Sequence, residues 1–222
     1  MLKASVERIL GRLGPDDLVL DVGAWGRPFT RADWVLDLMP YATRGLYGRD
    51  GPEPERFSEE TWVQLDVCRR EPWPFEDDRF DFAICSQTLE DLRDPVWVCS
   101  ELSRVARAGY VEVPSRLEEQ SRGVSGPLPG WTHHRWLCDV VDERLELVFK
   151  HAVLYILEGA TFSPDFYAGL SPEQRVQTLW WEGRVEAVER VFVSSEELNS
   201  YLREPVRRKR GLLSRLRRRA RS

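Results

Sequence analysis

Leu18-Val19-Leu20-Asp21-Val22-Gly23-Ala24-Trp25-Gly26 is the stretch from which the fold can be read. Three consecutive apolar residues ending in an acid and a glycine turn suit a strand buried on both faces, as in a parallel sheet with helices on either side. Upstream, Leu2, Val6, Ile9, Leu10 and Leu13 recur at helical spacing, so residues 2–13 are expected to form an amphipathic helix. Gly14-Pro15-Asp16-Asp17 supplies the turn that ends it.

Downstream the pattern repeats. Trp34-Val35-Leu36 ends at Asp37, Trp62-Val63-Gln64-Leu65 ends at Asp66, and Phe80-Asp81-Phe82-Ala83-Ile84-Cys85 runs into Ser86-Gln87. Residues 95–107 read as a helix, with Pro95 near its start and Val98, Leu102 and Val105 as spaced apolar positions. Tyr110-Val111-Glu112-Val113 is a fifth strand. The Gly45–Pro54 segment reads as a loop, and residues 116–130 as a loop or lid. Strands alternating with crossovers indicate an α/β domain with a parallel sheet.

After residue 130 the style changes. Residues 134–141 and 144–157 read as two long strands joined by Asp142-Glu143. Ser171-Pro172-Glu173-Gln174 is a helix start with a capping box, Val185–Val193 a last strand, and Ser195–Leu202 a short terminal helix.

Composition sets limits. The chain has 222 residues, 42% of them hydrophobic, with nine Trp and nine Phe, which is enough for a single core and excludes global disorder. It has no long uncharged apolar run and no signal-like N-terminus, so a cytoplasmic location is expected. Cys68, Cys85, Cys99 and Cys138 lack metal-ligand spacing and read as free buried thiols. Residues 203–222 hold ten Lys and Arg against one acid, a +9 tail on a body of −14. This divides the chain into a domain over 1–202 and a basic tail over 203–222, flexible or amphipathic. As a helix the tail would align Leu212, Leu213 and Leu216 beside its arginines. That pattern fits a solvated tail, an anionic membrane inner surface or, less well, nucleic acid phosphates.

In an open parallel sheet, ligands sit beyond the carboxyl ends of the strands. Those ends carry Asp21 with Gly23 and Gly26, then Asp37, Asp66, and Ser86 with Gln87. There is neither a GxxxxGK[ST] cradle nor a full GxGxxG turn, and an acid inside the first turn would repel a pyrophosphate. Such an acid suits an ammonium or sulfonium ligand.

These residues also carry a family likeness over 18–115. Val19-Leu20-Asp21-Val22-Gly23, Leu36-Asp37, Leu65-Asp66-Val67 and the run from Phe75 to Pro95 resemble, in order and spacing, the motifs of class I S-adenosylmethionine-dependent methyltransferases of the small-molecule (type 11-like) branch. The resemblance implies a Rossmann-like, doubly wound, mostly parallel seven-stranded sheet with an antiparallel C-terminal part. It implies S-adenosylmethionine as cofactor, with Asp21 and Gly23 framing the methionine part, Asp37 taking the ribose, and Asp66 with Val67 meeting the adenine. Gly26, Ser86 and Gln87 complete the expected cofactor set. The chain departs from the family in having Trp25 where a glycine is usual, only 16 residues from Asp21 to Asp37, and Gln87 and Asp91 where histidines are common.

A small-molecule or glycan acceptor, methylated at oxygen, is the function this implies; a catalytically inactive binding domain, targeted by its tail to a membrane or partner, is the alternative. For the acceptor side, Trp131-Thr132-His133-His134-Arg135-Trp136 holds two of the three histidines. On a strand, His133 and Arg135 share one face, and His134, Trp136 and Cys138 the other. His133 is the candidate base or acceptor orienter and Arg135 the candidate clamp for an anionic or sugar-like acceptor; the same residues also fit a structural strand start. A metal would need a third ligand, to which the sequence does not point, so none is assigned. His151 reads as structural. Trp25 and Trp131 fit core packing, or a face toward a sulfonium or sugar. Oligomeric state is not readable.

Overall fold

The computed structural model describes the backbone of residues 1–219 and the side chains of residues 1–209. Its centre is a six-stranded sheet. Five strands are parallel: β1 (Val19–Val22), β2 (Trp34–Asp37), β3 (Trp62–Gln64), β4 (Phe82–Ser86) and β5 (Ala108–Pro114). A sixth, β8 (Val176–Glu182), pairs antiparallel with β5, giving the order β3-β2-β1-β4-β5-β8. All four residues of β1 are buried, including Asp21 near its carboxyl end.

Helices cover both faces. On one, α1 (Lys3–Arg12) packs Ile9 against Val19, Phe82, Ile84 and Tyr110. On the other, α2 (Pro95–Val105) packs Val98, Leu102 and Val105 against Leu20, Val22 and Ala83. The α2 start is set by Asp94, whose carboxylate accepts the Trp97 N–H at 3.1 Å with Pro95 at the first helical position. No helix forms between β1 and β2. Residues 25–30 instead pair their backbone with the 45–50 segment through Gly45 N–H to Trp25 O (2.8 Å), Tyr47 N–H to Gly26 O (2.8 Å) and Asp50 N–H to Pro28 O (3.0 Å).

The strand count differs from the seven expected. The second half contributes only β8 to the main sheet. Its other strands, β6 (Trp136–Val141), β7 (Arg144–Phe149) and β9 (Glu186–Glu189), form a separate three-stranded sheet in the order β6-β7-β9. The β6–β7 hairpin turns through Asp142 and Glu143, both in the left-handed region at φ 49° and 60° as a two-residue hairpin loop demands. The strand expected over 144–157 stops at Phe149. There Lys150 turns inward, and His151 caps a 3-10 turn at Ala152–Tyr155 by accepting the Val153 N–H. The helix announced by Ser171 lasts one turn, α5 (Pro172–Arg175), before β8 begins. The strand reading of 185–193 contracts to β9. All four cysteines are free and buried.

Residues 116–130 are not a simple lid. They open with α3 (Arg116–Glu119), capped by Ser115, and its side chains reach the C-terminal helix α6 (Ser195–Arg219). That helix does not stop at Leu202 but continues through Pro205. Proline has no N–H, so the Tyr201 carbonyl four residues earlier is left without its helical donor. The buried Arg116 guanidinium donates to that carbonyl at 2.5 Å, and Gln120 Nε2 donates to the Leu202 carbonyl at 2.6 Å. Arg116 also pairs with Asp139 at 3.3 Å, and its guanidinium lies 3.6 Å from the Tyr201 ring centroid. Lys209 covers the Phe166 ring of α4 (Pro164–Ala168). Leu212, Leu213, Leu216 and the arginines around them lie outside the residues whose side chains are described.

Replacing Arg116 by Met is expected to cost about 3 kcal/mol in denaturant unfolding, because Asp139 and the Tyr201 carbonyl lose their partner. Pro205→Ala restores a helical donor to that carbonyl. It should therefore recover roughly 1 kcal/mol in the Arg116→Met background and less in the native one.

Candidate functional site

The carboxyl ends of β1 and β2 lie side by side, because Asp21 pairs with Val35 and Val22 with Leu36 in parallel register. This brings Asp21 and Asp37 to the same turn. Asp21 Oδ2 accepts the Phe29 N–H at 2.8 Å. Asp37 Oδ2 accepts the Trp25 N–H and its Oδ1 the Met39 N–H, both at 2.8 Å. The two acids thus tie down opposite ends of the 23–29 loop, and Gly23 N–H closes it onto Leu36 O at 2.9 Å.

Both carboxyls are buried. Burial pushes Asp21 up to about 7, against the Phe29 hydrogen bond, and burial likewise raises Asp37 against its backbone bonds. An ionised carboxylate has room for about four hydrogen bonds, so each retains acceptor capacity. Among the described residues, no cationic side chain figures in what shifts the Asp21 carboxyl; the N-terminal ammonium lowers it against burial. This donor set fits a ligand that presents an ammonium near Asp21 and hydroxyl groups near Asp37.

Gly23 adopts φ +74°, and a Cβ there would stand 2.2 Å from Thr88 Cγ2. Thr88 Oγ1 lies within donor reach of Gly23 O (3.2 Å) and Ser86 O (3.0 Å). The glycine therefore admits both a left-handed backbone and the Thr88 side chain. At Gly26 an added Cβ would meet the exposed Tyr47 ring at 3.0 Å. Trp25, in the place of the usual glycine, directs its indole N–H to Thr43 Oγ1 at 2.9 Å.

Asp66 lies just past β3, half exposed. Despite some desolvation, the Cys68 N–H and Arg93 hold its carboxyl below the usual range. Val67 beside it is buried. At the end of β4, Ser86 Oγ and the Nε2 of the following Gln87 both reach Glu112 Oε1, at 3.3 and 3.4 Å. Gln87 is exposed and takes φ 53°, which turns the chain sharply toward Thr88.

That turn continues into a second polar group. Residues 133–135 precede β6 rather than belonging to it, so strand alternation does not apply to them. The turn after Trp131 instead brings both histidine rings together, with centroids 4.6 Å apart, against Asp91. Asp91 Oδ1 stands 4.0 Å from His133 Nε2 and 3.9 Å from His134 Nε2. His134 Nδ1 lies 2.8 Å from Glu119 Oε1, which makes Nδ1 the donor. The other Glu119 oxygen accepts from Lys150 Nζ at 2.5 Å, and that ammonium also donates to Trp131 O at 2.8 Å. Trp131 Nε1 donates to Glu118. Burial pushes the Glu90 carboxyl well up, and its Oε2 has no hydrogen-bond partner. Arg135 is exposed; its N–H donates to Glu90 O at 2.7 Å.

Of the residues singled out by sequence, Asp21, Gly23, Gly26 and Asp37 surround one loop. Ser86 and Gln87 lie one strand away, and His133 adjoins Asp91. Glu90, Glu119 and Lys150 carry no sequence signal for this role, and Asp91 is marked only as standing where the family resemblance expects a histidine. They come from segments up to 60 residues apart and meet only through the fold.

Residues 36–111 match the family model described as a methyltransferase domain. No curated protein matches the chain. Among solved structures, an S-adenosylmethionine-dependent methyltransferase from Mesorhizobium loti is 16% identical at a TM-score of 0.38, covering 82% of this chain and 74% of its own. A putative methyltransferase from Bacillus halodurans is 15% identical at 0.37, with 80% and 94% covered. The putative methyltransferase in a complex with the Haloferax volcanii Trm112 activator is 20% identical at 0.35, with 49% and 50% covered. The chain spans about half the length of the first solved structures it matches. With every one of these scores below 0.5, nothing about ligands or partners follows from them.

The raised Asp21 carboxyl gives a pH signature. Its folded value of about 7 exceeds the ordinary 3.8, so between those pH values the folded protein holds a proton that the unfolded chain has released. Its contribution to stability is therefore fullest below about pH 4 and is lost as pH rises toward 7. Asp21→Asn removes the effect. Its thermal stability relative to the native chain should rise from pH 5 to pH 8, by up to roughly 3 kcal/mol.

Proposed function

We propose that this chain, whose residues 36–111 match the model of a methyltransferase domain, is a class I S-adenosylmethionine-dependent methyltransferase that transfers a methyl group to oxygen on a small-molecule or glycan acceptor. The cofactor of that family is S-adenosylmethionine, which supplies an activated methyl group on a sulfonium sulfur. One observation carries the reading: two buried carboxyls with spare acceptor capacity, Asp21 and Asp37, flank a single glycine turn at the ends of adjacent parallel strands.

In this reading Asp21, with Gly23 and Gly26, holds the methionine part, where a cationic ligand offsets the cost of a buried charge. Asp37 accepts from the ribose hydroxyls. Asp66 and Val67 bound the adenine, and Ser86 with Gln87 form the edge nearest the acceptor. Because the donor is already activated, orientation of the acceptor supplies much of the rate. His133 is the acceptor-side base or orienter, and the exposed Arg135 binds an anionic or sugar-like group on the acceptor. The His133 ring is 63% exposed, which supports contact with a ligand from solvent.

Calorimetry with S-adenosylmethionine and its demethylated product tests the cofactor half. Asp37→Ala should weaken both at least tenfold, and an unchanged affinity would remove the ribose role. Transfer of label from the cofactor to acceptors in a small-molecule extract tests the rest. His133→Ala should slow it by roughly 100-fold or more while cofactor affinity stays the same.

A further inference from the structure

We propose that Asp91, His133 and His134 form a binding site for one divalent transition-metal ion of the zinc class, with a coordination position left open to solvent. One ligand atom from each of Asp91, His133 and His134 lies within 4.8 Å of the others, and Asp91 Oδ1 stands 4.0 and 3.9 Å from the two histidine Nε2 atoms. Ligands around a tetrahedral zinc ion stand about 3.3 Å apart, given bonds of roughly 2.0 Å. The separations of 3.9 and 4.0 Å therefore need only a small contraction. The exposed His133 ring has the freedom to provide it.

Three features point to a cation rather than a chance cluster. The first is geometric. Glu119 Oε1 takes up His134 Nδ1 at 2.8 Å, so Nε2 is the ring atom left to face Asp91 Oδ1, 3.9 Å away. The second is that Asp91 Oδ1 is shut off from solvent and has no hydrogen-bond partner among the described residues, an arrangement that costs stability unless something positive occupies the gap. The third is the support behind the ligand. A carboxylate bonded to the far nitrogen of an imidazole is the usual way a metal-binding histidine is oriented and made more basic. Here that carboxylate, Glu119, is buried and held in turn by Lys150, whose Nζ is fully buried.

Two imidazoles and one carboxylate suit zinc and its first-row neighbours better than magnesium or calcium, which favour all-oxygen sets. With the Asp91 and His133 side chains 41% and 63% exposed, a fourth position faces solvent. A hydroxyl of an acceptor could take that position beside the Ser86–Gln87 turn. That use rests on the methyltransferase reading, whereas the metal site does not.

Equilibrium dialysis of the untagged full-length chain with zinc, and visible absorption with cobalt substituted for it, read the site without any activity measurement. The native chain should bind one ion. His133→Ala and Asp91→Asn, the first at an exposed ring and the second isosteric, should each lose about 100-fold or more in affinity along with the cobalt band. His151→Ala, which removes the one histidine outside the cluster, should leave both unchanged. Zinc should raise the melting temperature of the native chain and not that of His133→Ala. Failure of the native chain to bind at millimolar zinc, equal binding by the ligand variants, or equal damage from His151→Ala would overturn the site. So would melting that responds to acid but not to zinc, which would mark an imidazolium–carboxylate cluster instead.

Discussion

One buried carboxylate, Glu119, holds together three segments of this molecule that are distant in sequence. One of its oxygens accepts from the His134 ring and the other from the Lys150 ammonium. Burying these charges is costly, and only close pairing offsets the cost. The pairing therefore fixes three segments at once: the short helix after the fifth strand, the turn before the small sheet, and the first residue beyond its second strand. Arg116, three residues earlier on that helix, does the same for the C-terminal helix by serving the carbonyl that Pro205 leaves without a donor. The segment that composition marks as a loop is thus a polar hub, held by charge-assisted bonds instead of apolar contact.

The main sheet works by different physics. Its central strands are apolar on both faces, and covering helices remove them from water. Polar chemistry is then admitted only where the strands end. Asp21 and Asp37 sit at that boundary, buried enough to be raised and yet bonded to backbone N–H groups that keep the adjoining loop in place. The acids that would hold a ligand also stabilise the loop around it. Thr88 links this loop to the turn after the fourth strand, and three residues later that turn delivers Asp91 to the histidines. The strand-end acids and the histidine cluster are consequently joined by one short, sharply bent stretch of chain.

Much of this was legible in advance. The strand ends at Asp21, Asp37 and Asp66, the helix start at Pro95, and the hairpin turn at Asp142-Glu143 follow from local rules of burial and backbone sterics. The misreadings share a cause. Phe149 ends its strand because Lys150 is drawn to Glu119, and Val176 begins one because the edge of β5 is free to pair; neither partner is near in sequence. His133 and His134 alternate faces on a strand but converge on a turn, and the bond from Arg135 N–H to Glu90 O that holds this turn spans 45 residues.

The sequence by itself determined the alternation of buried strands and amphipathic helices, the acids at the strand ends, and the likeness they carry to a methyl-transferring family. These are properties of period, spacing and local turn chemistry, which a linear chain displays directly. Only the tertiary structure decided which polar groups share a site. Asp91, Glu119, His134 and Lys150 become one cluster because packing removes them from water, and in that low-dielectric setting each must find its partner in space, wherever the chain has placed it.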